Sequence, residues 1–99
     1  MKFKSIQDLQ PYRAQILRLA DEHGALDVRI FGSVARGDAT DTSDLDVLVR
    51  WDYTNVSAWG GVGFDIDLQD LLGCHVDVIS EAAINPKLKA QILSEARSL

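Results

Sequence analysis

The order of apolar and polar residues along the chain switches repeatedly between the repeat of an amphipathic helix and the repeat of a strand. Three segments carry apolar residues at helical spacing: 11–23, 64–72 and 86–96. Three shorter segments alternate as strands do: 28–31, 45–49 and 76–79. One helical turn is expected at 34–36. This order predicts an α/β (α+β) fold, in which a small mixed β-sheet has helices packed on one face.

Glycine, proline and capping residues set the expected helix boundaries. Gly24 and Gly73 follow the first two helical patterns and end them, because glycine readily adopts the left-handed conformation. Pro11 is best placed as the first residue of a helix, and Asn85 with Pro86 caps the last one. No internal repeat or linker interrupts the chain. We therefore expect a single domain over residues 1–99.

The composition is that of an ordinary soluble chain, with 46% apolar and 25% charged residues. No stretch approaches the length of a membrane span, and the first residues lack the apolar core of a secretory signal, so a cytoplasmic location is expected. The net charge of −5 argues against tight general binding to nucleic acid. Cys74 is the single cysteine, which excludes an internal disulfide or a cysteine zinc cluster and favours a packing role.

Three aspartates lie within apolar strand patterns, where an unpaired carboxylate is costly. Asp44 and Asp46 are two residues apart, so both project from the same face of the second strand. Asp77 lies between two valines and projects to the face opposite them, which we expect to be open to substrate. The alternative for Asp77 is a solvent-facing residue at a strand end. Such carboxylates fit two magnesium ions, which prefer oxygen ligands and keep positions free for substrate phosphates.

A short turn of small residues precedes the aspartates. Gly32 and Ser33 follow the first strand directly, and ten residues separate them from Asp44. A glycine lets the backbone approach a phosphate closely, while Ser33 and the following helical turn add donors. Arg36 is predicted to pair with phosphate oxygens, or alternatively with a surface acid such as Asp38. Ser43 is predicted to order the turn before Asp44 or to contact a phosphate.

Other candidate chemistry finds less support. The glycines between Trp51 and Gly63 match neither a dinucleotide fingerprint nor a P-loop, and no serine-hydrolase elbow is present. The aromatic residues of this stretch could anchor a partner: Trp51, Tyr53 and Trp59. The alternative is that at least one of the two tryptophans packs in the core. His23 and His75 have no spacing that suggests a metal pair, and no role is assigned to them.

The combination of Gly32-Ser33, Arg36-Gly37 and Ser43-Asp44-x-Asp46 resembles the signature of the DNA-polymerase-beta-like nucleotidyltransferase superfamily. More narrowly, the chain is similar to the minimal nucleotidyltransferases of prokaryotes. The resemblance implies that Gly32 and Ser33 hold the triphosphate of ATP and that Asp44 and Asp46 bind the catalytic Mg²⁺ ions. It also implies that Asp77 completes the metal site and activates the acceptor.

The same resemblance implies a biological setting. Such proteins are commonly antitoxins of HEPN-type toxins, and some transfer AMP from ATP to a tyrosine of the toxin. A chain of 99 residues has little room for an acceptor domain, so an acceptor on a separate protein is expected. Two alternatives stay open, a non-catalytic antitoxin that acts by binding and a nucleotidyltransferase for a small-molecule acceptor. A homo- or hetero-oligomer is compatible with either.

Overall fold

The computed structural model describes residues 3–52, 54 and 62–99. The elements follow in chain order: a 3₁₀ helix Ile6–Tyr12, α1 Arg13–His23, β1 Ala25–Phe31, α2 Gly32–Arg36, β2 Leu45–Trp51, α3 Val62–Leu72, β3 Val76–Ser80, a 3₁₀ turn Glu81–Ala83, α4 Pro86–Glu95 and β4 Arg97–Ser98. None of the helices within these residues is long and apolar enough to cross a membrane.

Four strands form one mixed sheet in the order β3-β2-β1-β4. β2 pairs with β3 in parallel and with β1 in antiparallel orientation, and β4 pairs with the far edge of β1. In this register Asp46 lies beside Phe31 on one side and beside Asp77 on the other. The predicted mixed sheet and fold class are confirmed.

Helices α1 and α3 cover the first face of the sheet. The main core includes Ile30 of β1, Val47 and Val49 of β2, and Leu68 of α3, all almost completely buried. These strand residues alternate along the chain, so they project to the same side and pack against both helices. The side chains between them must therefore project to the second face.

The second face is also partly covered by a helix, which differs from the expectation of helices on one face only. Phe31 and Leu48 are buried there together with Ile84, and α4 packs on them through residues that include Ile92 and Leu93. The 3₁₀ turn after β3 brings the chain back beneath the sheet, so the apolar stripe of α4 meets these side chains. Phe31 is the register partner of Asp46, so this apolar cluster reaches the row of Asp46, which is itself partly buried.

Several helix boundaries differ from the prediction in detail. Pro11 lies inside the 3₁₀ helix, and α1 begins only at Arg13, so Pro11 as the start of a helix was wrong. Proline has a fixed φ and no backbone N–H to donate. A short 3₁₀ helix tolerates both properties, as the first turn of an α-helix does. Gly24 ends α1 in the left-handed conformation as predicted. β4 was not predicted, because two residues are too few to show an alternating pattern.

Candidate active site

The turn at the end of β1 brings the backbone of Gly32 against a carboxylate. Gly32 has φ of +74°, and a Cβ built on it would overlap the Oδ2 of Asp46 and lie 3.2 Å from its Cγ. A side chain is therefore excluded both by the left-handed backbone and by the space that Asp46 occupies. The glycine after the first strand is explained by this close approach between α2 and β2.

The three predicted aspartates all lie at the same end of β2 and β3. Asp46 and Asp77 are register partners on neighbouring parallel strands, and Asp44 directly precedes β2, where its charge acts on Asp46. Asp46 is partly buried, whereas Asp44 and Asp77 are exposed. The register brings Asp46 and Asp77 together as predicted, and the place of Asp44 in a shared metal site stays a prediction.

Burial and like charges act together on Asp46. Desolvation, together with the nearby charges of Asp77 and Asp44, raises the pKa of its carboxyl to about 6, and the charge of Arg36 acts in the opposite direction. Three carboxylates with one nearby cation leave negative charge that is not neutralised. Such a site favours the binding of a cation.

The three carboxylates are suitable ligands for Mg²⁺, but they do not form a complete metal site by themselves. Carboxylate oxygens are the ligands that Mg²⁺ prefers, and burial and like charges disfavour the ionised form of Asp46 in the absence of a cation. However, within the described ranges no group of three His, Cys, Asp or Glu side chains forms a ready-made metal cluster. Mg²⁺ usually takes one or two protein carboxylates together with substrate phosphates. The site therefore fits an ion that arrives with a nucleotide, and the predicted three-aspartate, two-ion centre stays a prediction.

Ser43 fixes the turn that leads into the aspartates. Its Oγ accepts a hydrogen bond of 2.9 Å from the backbone N–H of Thr40 and lies 3.3 Å from the hydroxyl of Thr40. This is the structural one of the two roles predicted for Ser43, and contact with a phosphate stays a prediction. Ser33 lies next to Gly32 in the first turn of α2 and is partly exposed.

Arg36 is held by two carboxylates. Its Nε donates to Asp38 at 3.2 Å, as the alternative from the sequence expected, and its Nη1 lies 3.1 and 3.2 Å from the two carboxylate oxygens of Glu95. Glu95 lies on α4, and no local pattern connects it with α2. The sequence also assigned no role to His75, whose Nδ1 lies 3.3 Å from the Oδ1 of Asp44. Contacts of this kind depend on the sheet and leave no signal in residue spacing.

The aromatic stretch is described only in part. Trp51 is partly buried and packs edge-on against Phe64, with ring centroids 6.1 Å apart. This agrees with the core-packing interpretation for Trp51. Tyr53 and Trp59 lie outside the described residues. Cys74 packs against the main core, as expected.

Comparisons with known proteins agree with this geometry. Residues 13–99 match the family model described as a nucleotidyltransferase domain. An inferred protein adenylyltransferase of Methanocaldococcus jannaschii is 35% identical over 89 residues, which cover 90% of this chain and 95% of that protein. The protein adenylyltransferase MntA of Thermococcus cleftensis is 30% identical over 78 residues, which cover 78% of this chain and 77% of that protein.

Two solved structures share the fold. A minimal nucleotidyltransferase structure superposes with a TM-score of 0.82 at 40% identity and covers 96% of both chains. A crystal structure of a toxin-antitoxin with AMP-PNP superposes with a TM-score of 0.70 at 18% identity, over 87% of this chain and 70% of that one, and shows likeness of fold alone.

The fold, the glycine turn and the sequence relatives define an enzyme of the nucleotidyltransferase class. Within that class, the chain belongs to the minimal nucleotidyltransferase family, as its motif residues predicted.

Proposed function

We propose that this protein is a Mg²⁺-dependent adenylyltransferase that transfers AMP from ATP to a tyrosine hydroxyl of a HEPN-type toxin and thereby acts as its antitoxin. The observation that carries the proposal is the contact between the Gly32 turn and Asp46, beside Asp77 on the next strand. This contact supports the proposal, because a glycine backbone can approach a phosphate closely and the neighbouring carboxylates can bind a cation. The protein adenylyltransferases among the relatives support AMP transfer, and the toxin-antitoxin fold neighbour supports the partner class.

The reaction joins the acceptor oxygen to the α-phosphorus of ATP and breaks the bond from that phosphorus to the bridging oxygen, so that pyrophosphate leaves. Asp77 is exposed at the start of β3 and takes the proton of the acceptor hydroxyl. Asp44 and Asp46 hold Mg²⁺, which neutralises phosphate charge when it is bound. Gly32 and Ser33 hold the triphosphate, with Arg36 at its side.

The proposal is tested with purified protein, labelled ATP, Mg²⁺ and a HEPN-type toxin, for which the adjacent reading frame is the first candidate. We expect label on the toxin, and mass spectrometry should locate AMP on a tyrosine. Asp44→Asn combined with Asp46→Asn should abolish labelling, because the site loses both cation-binding carboxylates. Asp65→Asn combined with Asp70→Asn on α3 is the matched control, since it removes the same charge from the other face of the sheet.

Equal labelling by the Asp44→Asn, Asp46→Asn variant and by wild type would refute the mechanism. The same variant separates catalysis from simple binding in cells that express the toxin. Loss of protection would support neutralisation by AMP transfer, whereas full protection without transfer would favour the binding-only antitoxin. Turnover of small hydroxyl compounds without any protein partner would instead favour a small-molecule acceptor.

A further inference from the structure

Arg36 lies close to the candidate active site. Gly32 and Arg36 are four residues apart on α2 and so lie on the same side of that short helix. Gly32 is the residue that lies against Asp46. The charge of Arg36 also acts on Asp46, whose pKa it lowers. Arg36 is therefore beside the carboxylates at which a nucleotide would bind.

The hydrogen bonds of Arg36 leave one end of its guanidinium group for a ligand. Nε donates to Asp38, and Nη1 donates to the carboxylate of Glu95. A guanidinium group has five N–H donors in a rigid plane, two of them on Nη2. Among the described residues, no hydrogen bond or ion pair of Nη2 accompanies these contacts. The contacts on Nε and Nη1 fix the plane of the group, and the two donors on Nη2 remain for phosphate oxygens.

Asp38 and Glu95 differ in how firmly each can hold the guanidinium group of Arg36. Asp38 has the largest effect on Arg36, and its hydrogen bond raises the pKa of the guanidinium group. Its side chain, however, is 61% exposed in the loop after α2, where water weakens an ion pair. The side chain of Glu95 is 21% exposed and lies at the end of α4, which is anchored on the sheet by Ile92 and Leu93. Glu95 is the better fixed of the two.

We propose that Glu95 is a positioning residue that holds the Arg36 guanidinium group in the orientation that receives a phosphate of the nucleotide. An arginine without such support must order several side-chain torsions when the ligand binds, which reduces affinity. Glu95 thereby connects α4 to the nucleotide site without contacting the nucleotide. This inference rests on the proposed function, because it requires a nucleotide at the Gly32 turn.

A double-mutant cycle tests the inference through equilibrium binding, so no turnover is needed. Binding of a non-hydrolysable ATP analogue with Mg²⁺ is measured by calorimetry for wild type, Arg36→Ala, Glu95→Ala and the double variant. We expect about tenfold weaker binding for Glu95→Ala and at least as much loss for Arg36→Ala. In the Arg36→Ala background, Glu95→Ala should cause no further loss, because its effect acts through Arg36.

Two further variants separate positioning from a general structural effect. Glu95→Gln keeps an oxygen that accepts from Nη1, so it should restore part of the lost affinity. Glu22→Ala removes an exposed glutamate at the end of α1 and should bind like wild type. The melting temperature of each variant is measured in parallel. A loss of affinity that follows the melting temperature across all variants would overturn the inference.

The remaining outcomes are also decisive. Wild-type affinity in Glu95→Ala, or equal losses with and without Arg36, would overturn the role of Glu95. Tighter binding in Glu95→Ala would show that Glu95 competes with the nucleotide for Arg36, which also overturns it. Absence of analogue binding by wild type would instead refute the proposed function.

Discussion

Gly32 is the residue at which backbone geometry and site geometry coincide. Its left-handed φ brings α2 back over β2, and the absence of a side chain leaves the space that the carboxylate of Asp46 occupies. Both the left-handed φ and the close carboxylate require a residue without a Cβ. The position therefore affects the placement of Asp46 as well as the stability of the turn.

Gly32→Ala should displace Asp46 and reduce nucleotidyl transfer by about 10²-fold or more, since misplacement of a reacting group by about 1 Å has this effect. Gly37→Ala is a matched control. Gly37 also has a positive φ, of +81°, but a Cβ there would meet nothing within 4 Å. Gly37→Ala should therefore cost only the backbone strain, about 1–2 kcal/mol, and keep activity near wild type. Equal loss of transfer in folded samples of both variants would contradict this explanation. Initial rates and thermal melts give the measurements.

The ionised form of Asp46, which the proposed function requires for binding a cation, lowers the stability of the metal-free fold. Its folded-state pKa of about 6 lies above the ordinary value of 3.8, so the folded protein binds this proton more tightly than the unfolded chain does. The resulting contribution to stability is fully present below about pH 4 and is lost as the pH rises through 6. Near neutral pH the folded protein therefore holds an unfavourable charge unless a cation is bound.

Asp46→Asn should raise the melting temperature of the metal-free protein at pH 7.5, because the amide carries no charge. Allowing for solvent screening at a partly buried carboxyl, we expect about 1 kcal/mol, or about 4–8 °C. The gain over wild type should disappear near pH 4, and Mg²⁺ should stabilise wild type more than the variant. Asp70→Asn, on the exposed side of α3, should show no such pH-dependent difference. A gain of equal size at pH 4 and pH 7.5 would rule out ionisation of Asp46 as the cause. Differential scanning fluorimetry across this pH range provides the measurement.

At the scale of elements, α4 contributes more than its place at the end of the chain indicates. It packs on the second face of the sheet through Ile92 and Leu93, and it supplies the carboxylate that binds Arg36. Its beginning is fixed by Asn85, whose Oδ1 accepts a hydrogen bond of 3.0 Å from the N–H of Lys87. Pro86 then provides a first helical residue that needs no hydrogen-bond acceptor.

Asn85→Ala should remove this capping bond and lower the free energy of unfolding by about 1 kcal/mol. Ser5→Ala is a suitable control, because Ser5 occupies the same position before the 3₁₀ helix but its side chain makes no capping bond. We expect a change within about 0.5 kcal/mol for the control. Urea unfolding followed by circular dichroism measures both. Equal destabilisation by the two substitutions would mean that the side-chain cap does not hold α4.

At the scale of the whole molecule, the sheet joins two apolar layers that share the same strands. Val47 and Val49 project into the core beneath α1 and α3, and Leu48 between them projects beneath α4. Neither layer can lose its strand without disturbing the other. We therefore expect the predicted single domain to unfold in one cooperative transition.

Leu68→Ala on the first face and Leu93→Ala on the second should lower the midpoint of the same transition. Leu68 is 1% exposed, so its loss should cost about 2–5 kcal/mol, and the partly buried Leu93 should cost less. Tryptophan fluorescence and far-ultraviolet circular dichroism are followed together during urea unfolding. Separate midpoints for the two probes in either variant would show that the layers unfold independently.

Local patterns in the sequence determined the strands β1, β2 and β3, most helices and the motif residues that were proposed for the site. Alternation separated the side of β2 that carries Asp46 from the side that carries Val47, and the glycine after β1 marked the turn. These features follow from the backbone repeat of two residues in a strand and from the conformational freedom of glycine, which act over a few neighbouring residues. Family resemblance extended this to the nucleotidyltransferase class, which the comparisons confirmed.

Only the tertiary structure decided which distant residues meet. Arg36 and Glu95 are 59 positions apart, and their contact depends on how α4 crosses the second face of the sheet. The raised pKa of Asp46 likewise depends on its burial and on the parallel register that brings Asp77 beside it. Periodicity fixes the direction of a side chain along its own element, whereas burial and ion pairing depend on packing between elements. For this reason the sequence identified the ligand-binding candidates, and the structure identified what holds them.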